Sequence, residues 1–115
     1  MRARSWWTSM LPDRMSATEV GPVLLAGRVA DAIVVAIRKQ NAGVRVSPRG
    51  SYVRVAVAHR CEVHARAIEA LLGEPFRIPA DLERVMPSFR GRLSMSEEIA
   101  SWEAGPVDRS TKGSG

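Results

Sequence analysis

The sequence predicts an α+β fold: small antiparallel sheets packed with two helices, a single compact domain with flexible N- and C-terminal tails. Three observations carry this expectation. Residues 28–41 and 64–72 space their apolar side chains by three and four, the helical repeat. Residues 44–58 alternate apolar and polar side chains on either side of a turn, the repeat of a β-hairpin. A chain of 115 residues has room for one domain and not for two.

The elements follow in order. Residues 1–19 sustain neither period and read as a flexible arm, notable for Trp6 and Trp7. Residues 20–104 form the domain. Val20-Gly-Pro-Val-Leu-Leu-Ala26 is a short apolar run in which Pro22 lacks a donor for a sheet ladder, so an edge strand is expected. After Gly27, the residues Val29, Ala32, Ile33, Ala36 and Ile37 make one apolar helical stripe. Arg38 and Lys39 suit the negative end of that helix, and Asn41 and Gly43 stop it. Val44 to Val46 and Tyr52 to Ala58 alternate around the turn residues Ser47-Pro-Arg-Gly50, which sets Val53, Val55 and Val57 on one face of a hairpin. A second helix over 64–72 uses Ile68, Leu71 and Leu72 and ends at Gly73. Residues 82–86 read as a strand and 87–91 as a bend. Residues 92–95 and 99–102 read as short closing strands, with Trp102 in the core. Residues 105–115 read as a disordered tail.

Composition excludes several functions. No apolar stretch reaches the roughly 20 residues of a membrane span, and no apolar core follows Arg2 and Arg4 as a signal peptide requires, so a cytoplasmic protein is expected. Cys61 is the single cysteine, which rules out an internal disulfide. Seventeen basic against twelve acidic residues give a net charge of +5, which invites a small basic nucleic-acid-binding domain as an alternative. The charges are spread over arm, domain and tail, however, with no run of four like charges, and fifteen of the seventeen are arginine.

Candidate chemistry is sparse. His59, Cys61 and His64 have the residue types of a zinc or copper site, but a strand would put 59 and 61 on one face and 64 on the other. The chain offers no fourth His or Cys, so an exposed connection is the simpler reading. Glu97–Glu98 and Asp81–Glu83 are not placed as an acid–base pair, and neither phosphate-binding glycine motif occurs. No catalytic, cofactor-binding or metal residue is assigned. The pattern is that of a protein that acts by binding another. Trp6 and Trp7 are candidate contact residues, because two large aromatics in a polar arm need a surface to cover them, a partner's or, as the competing reading, the domain's own sheet.

An ordered set of short motifs supports this. Val20-Gly-Pro-Val-Leu followed by a glycine and an amphipathic helix comes first, then Tyr52-Val-Arg-Val, then Leu72-Gly-Glu-Pro-Phe76. Leu82-Glu, Val85-Met-Pro-Ser-Phe-Arg-Gly-Arg-Leu93 and an acidic residue before Ile99 complete it. Over residues 20–104 the set resembles the effector (coupling, or regulatory) proteins of bacterial multicomponent di-iron monooxygenases, of the toluene, phenol, alkene and methane types. The resemblance implies a protein without catalysis or cofactor of its own. It would dock on the hydroxylase that carries the di-iron centre and couple NADH-driven oxygen activation to substrate hydroxylation or epoxidation. No membrane partner is implied. The expected partner-binding residues are Trp6, Trp7, Asn41, Pro87, Ser88, Phe89, Arg90 and Gly91; a core position for Phe89 is the competing reading. The chain departs from the resemblance in charge: relatives tend to be acidic, whereas here Ser47-Pro-Arg49 forms the hairpin turn and Arg84 and Arg90 interrupt the later motif. A correspondingly acidic partner surface is expected.

Overall fold

The computed structural model describes residues 18–105. Trp6 and Trp7, nearly all of the expected arm, and the tail beyond Gly105 lie outside the described residues. The chain order is β1 (Glu19–Leu25), α1 (Arg28–Gln40), β2 (Arg45–Arg49), β3 (Tyr52–Ala58), β4 (Arg60–His64), α2 (Ala65–Leu72), α3 (Ala80–Val85), β5 (Ser88–Arg90), β6 (Arg92–Met95) and β7 (Ile99–Glu103). Two antiparallel sheets result, one ordered β2-β3-β1-β5 and the other β4-β7-β6.

The expected α+β class holds, with three helices among the described residues rather than two. In α1 the apolar stripe is buried at Ala30, Ala32, Ile33, Ala36 and Ile37, with Asp31 in its first turn and Arg38 and Lys39 in its last. In β3 the alternation sends Val55 and Val57 into the core and leaves Val53 half-buried. Trp102 is fully buried in one core cluster with Leu24, Ile33, Ile37, Ile68, Leu82 and Val63. In α2 Ile68 is buried, whereas Leu71 stays 41% exposed.

Five expectations need correcting. Ser47-Pro-Arg49 belongs to β2, so the hairpin turns at Gly50 and Ser51 rather than over 47–50. β1 is an interior strand, flanked by β3 and β5. Its ladder to β3 pairs Val20 with Val57 and resumes at Val23 with Arg54, lapsing at Gly21 and Pro22. The missing proline donor is thus accommodated by a gap rather than by an edge. Residues 82–86 contribute to a helix, α3, not a strand. Leu82, Val85 and Met86 have helical spacing, Asp81 and Glu83 favour its first turn, and Arg77 and Asp81 lock its start: the Arg77 N–H donates to Asp81 Oδ2 (2.8 Å) and the Asp81 N–H to Arg77 O (2.8 Å). The bend at 87–91 contains β5, paired with Gly21, Pro22 and Val23. Finally, residues 60–64 are the strand β4, not an exposed connection.

The two sheets are joined through single residues. His59 alone separates β3 from β4, at φ 68°, and Gly91 alone separates β5 from β6, at φ 103°. His59 N–H donates to Thr18 O (2.6 Å) and Ala104 N–H donates to His59 O (2.9 Å). A Cβ on Gly91 would lie 2.6 Å from Val20 Cγ1 and 3.0 Å from Glu103 O, so this crossover fits only glycine.

Candidate docking surface

The end of α1 is built into the second sheet. Asn41 donates through Nδ2 to Ile37 O (2.8 Å) and to Glu62 O (2.8 Å), while Glu62 N–H donates to Asn41 Oδ1 (3.1 Å). One residue earlier, Gln40 Oε1 accepts from His64 N–H (2.9 Å). These two side chains therefore occupy the outer edge of β4, whose backbone groups would otherwise be open to another strand. Asn41 has a structural duty whatever else it touches. Asn41→Ala is expected to cost about 1–2 kcal/mol in urea unfolding, because it strips partners from both backbone groups of Glu62. Asn41→Asp should do no better, since it sets a carboxylate against two carbonyl oxygens.

The cluster at 59–64 is split by the fold. Cys61 points into the core, fully buried, and burial, with a smaller contribution from the Glu62 charge, pushes its thiol up to about 12. At neutral pH it is therefore a protonated core side chain. His59 sits on the sheet crossover, so it does not share a strand face with Cys61. His64 Nε2 lies 2.6 Å from Glu62 Oε2. Among the described residues no group of three His, Cys, Asp or Glu could hold a metal ion.

Glu62 is the centre of a charged row on the outward face of β4. Arg60 reaches Glu62 Oε1 at 3.0 Å and also pairs with Glu103 on the neighbouring β7. The hydrogen bond to His64, then that to Arg60, holds the Glu62 carboxyl below the usual carboxylate range. A lowered folded value stabilises the protein above the unfolded carboxylate pKa, and that contribution is lost as pH falls through the folded one. Glu62→Gln should accordingly sit below wild type by less than about 1 kcal/mol at neutral pH, the pair being partly exposed. The gap should close in acid unfolding as the pH drops below about 4.

Pro87, Ser88, Phe89, Arg90 and Gly91 are all exposed. Phe89 stands opposite Pro22 yet remains 44% exposed, so it is not a core side chain. Gly91 is a crossover, and Asn41 belongs to the other sheet's edge. Among the described residues, Pro87 to Gly91 thus lie on the first sheet and its crossover, and Asn41 at the edge of the second.

A second group was not singled out from the sequence. On the first sheet, strand register places Arg49 opposite Tyr52, Ser47 opposite Arg54, Val23 opposite both Arg54 and Ser88, and Leu25 opposite Tyr52. Val23, Arg49, Tyr52, Arg54, Pro87 and Ser88 line one open cleft of about 300 Å³. Arg45 lies along the same side of β2 and pairs with Glu19 (3.1 Å). The signal in the sequence is the two-residue step Arg45, Ser47, Arg49 and Tyr52, Arg54; the two steps align because Ser47 to Arg49 belong to β2 rather than to the expected turn.

Known proteins give this architecture its context. Residues 18–103 match the MmoB/DmpM family. Over 92 residues the chain is 40% identical to the effector subunit of the alkene monooxygenase system of Xanthobacter autotrophicus strain Py2, covering 78% of this chain and 90% of that protein. Its fold is similar to a chain of the phenol hydroxylase–regulatory protein complex, with a TM-score of 0.67 at 14% identity over 74% of this chain and 97% of that one. The regulatory protein B of soluble methane monooxygenase is similar too, with a TM-score of 0.62 at 24% identity over 84% and 73%. With the match spanning both sheets and all three helices, the chain belongs to the MmoB/DmpM family.

Proposed function

We propose that this chain is the effector subunit of a multicomponent di-iron monooxygenase. It binds the hydroxylase component and couples NADH-driven oxygen activation to substrate hydroxylation or epoxidation. Carrying this reading is the 40% identity to an alkene monooxygenase effector subunit along nine-tenths of that protein. The chain itself performs no chemistry in this role and holds no cofactor. What supports this is a thiol sealed in the core and a His64 ring held against Glu62. It works in the cytoplasm, where NADH is at hand.

Regulation by binding needs a difference in affinity. An effector that binds two hydroxylase conformations equally shifts neither, however tightly it binds. The docked form must therefore prefer the conformation in which oxygen activation and substrate access coincide. Contacts available for this are the exposed Pro87, Ser88, Phe89 and Arg90, the region of Asn41 and, outside the described residues, Trp6 and Trp7. The test is turnover of the purified hydroxylase and reductase of the same system, with and without this protein, following product formed per NADH consumed. An increase in rate or in that ratio is expected. No change in either would overturn the proposal.

A further inference from the structure

Charge is unevenly distributed over the domain. Among the described residues, the outward side of the first sheet carries Arg45, Arg49, Arg54 and Arg90 with Glu19 as its one acid, and Glu19 is paired with Arg45. The other described residues hold eight basic and nine acidic side chains, close to balance. The domain's excess positive charge is therefore collected on one sheet face. That face is not merely charged. Tyr52 (44% exposed) and Leu25 (41% exposed) stand on it, and the cleft between Arg49 and Arg54 is walled by Val23, Tyr52 and Pro87.

We infer that this face, centred on the Arg49–Tyr52–Arg54 cleft, docks on an acidic, apolar-studded patch of the hydroxylase; the inference rests on the effector reading above. Competing occupants suit the face less well. A second copy of the chain would bring the same arginines. The chain's own ends are net basic, with Arg2, Arg4 and Arg14 against Asp13, and Arg109 and Lys112 against Asp108. Arginine and tyrosine around a small apolar cleft is the composition of protein interfaces, in which a partner carboxylate can take a two-pronged guanidinium bond while aliphatic groups cover the ring. Attraction between the two surfaces would speed encounter and fix orientation, and salt would weaken it.

The experiment compares wild type with the double variants R54E/R90E and R66E/R77E, the second reversing two charges on α2 and the loop after it. Affinity for the purified hydroxylase is titrated at several ionic strengths, after circular dichroism and urea midpoints show that both variants fold. Expected is a loss of affinity of roughly tenfold or more in R54E/R90E at low salt, with a flattened salt response, and less than a twofold change in R66E/R77E. If R54E/R90E binds as wild type does while wild type still stimulates turnover, the docking face is elsewhere and the effector reading stands. If wild type neither binds nor stimulates the hydroxylase, both fall. Retention of wild type, but not R54E/R90E, on a DNA duplex at physiological salt would assign the face to nucleic acid and overturn the inference.

Discussion

Replacing Gly21 with alanine is expected to destabilise the domain by about 3 kcal/mol or more. Gly21 has φ 146°, a conformation that L side chains rarely adopt. A Cβ there would lie 2.3 Å from Val55 O and 3.0 Å from Val55 C. The obstructing atoms are backbone, not a side-chain tip that could swing away. β3 is held against retreat, because from Tyr52 to Ala56 its other edge is paired with β2. The strain is thus delivered to the middle of the first sheet, between Val20 and Leu24, both fully buried. Against a total stability of about 5–15 kcal/mol for a typical domain, that loss would shift a urea midpoint far enough to measure easily. A change below 1 kcal/mol would mean that β1 can move away from β3 locally, contrary to the packing described.

Trp102→Ala should have an effect of similar size, about 3–5 kcal/mol, because it empties the largest fully buried site. Trp102→Phe separates two contributions. The indole Nε1 is buried without a hydrogen-bond partner among the described residues, and such an unmet donor itself costs about 1–3 kcal/mol. Phenylalanine removes that donor together with part of the volume, so the two effects oppose each other. W102F is expected to lose well under half of what W102A loses. Equal losses would show that the indole N–H is satisfied in solution.

What the sequence disclosed, and what it withheld, follows the range of the interactions. α1 and β3 were legible because three- and two-residue periods are local, and Trp102 because its alternation with Ala100 is local too. The strand β4 also alternates, Arg60, Glu62 and His64 against Cys61 and Val63, but its titratable residue types drew attention to chemistry instead of to period. α3 carried a helical spacing at Leu82, Val85 and Met86, hidden by its six-residue length. Strand neighbours beyond the β2–β3 hairpin were not legible. The interior position of β1 depends on β5 arriving from residues 88–90, and the basic face depends on β2 and β3 lying beside β1. The family resemblance, by contrast, rested on ordered motifs along the whole domain, and residues 18–103 match that family. The partner-binding set fared differently: Asn41 and Gly91 are placed by fold requirements, Phe89 and Arg90 are exposed, and Trp6 and Trp7 lie outside the described residues.

The crossover at His59 also bears on how the domain folds. Its amide meets Thr18, next to the start of β1, and its carbonyl meets Ala104, just past the end of β7. One residue near the middle of the chain thus holds both ends of the domain. Neither hydrogen bond can form from a local segment, and closing such long loops costs chain entropy before the contacts return anything. A nascent chain still lacking β7 would leave the second sheet without its central strand and His59 without half of its anchorage. The second sheet is thus completed only once residues 99–103 have emerged, near the end of the domain.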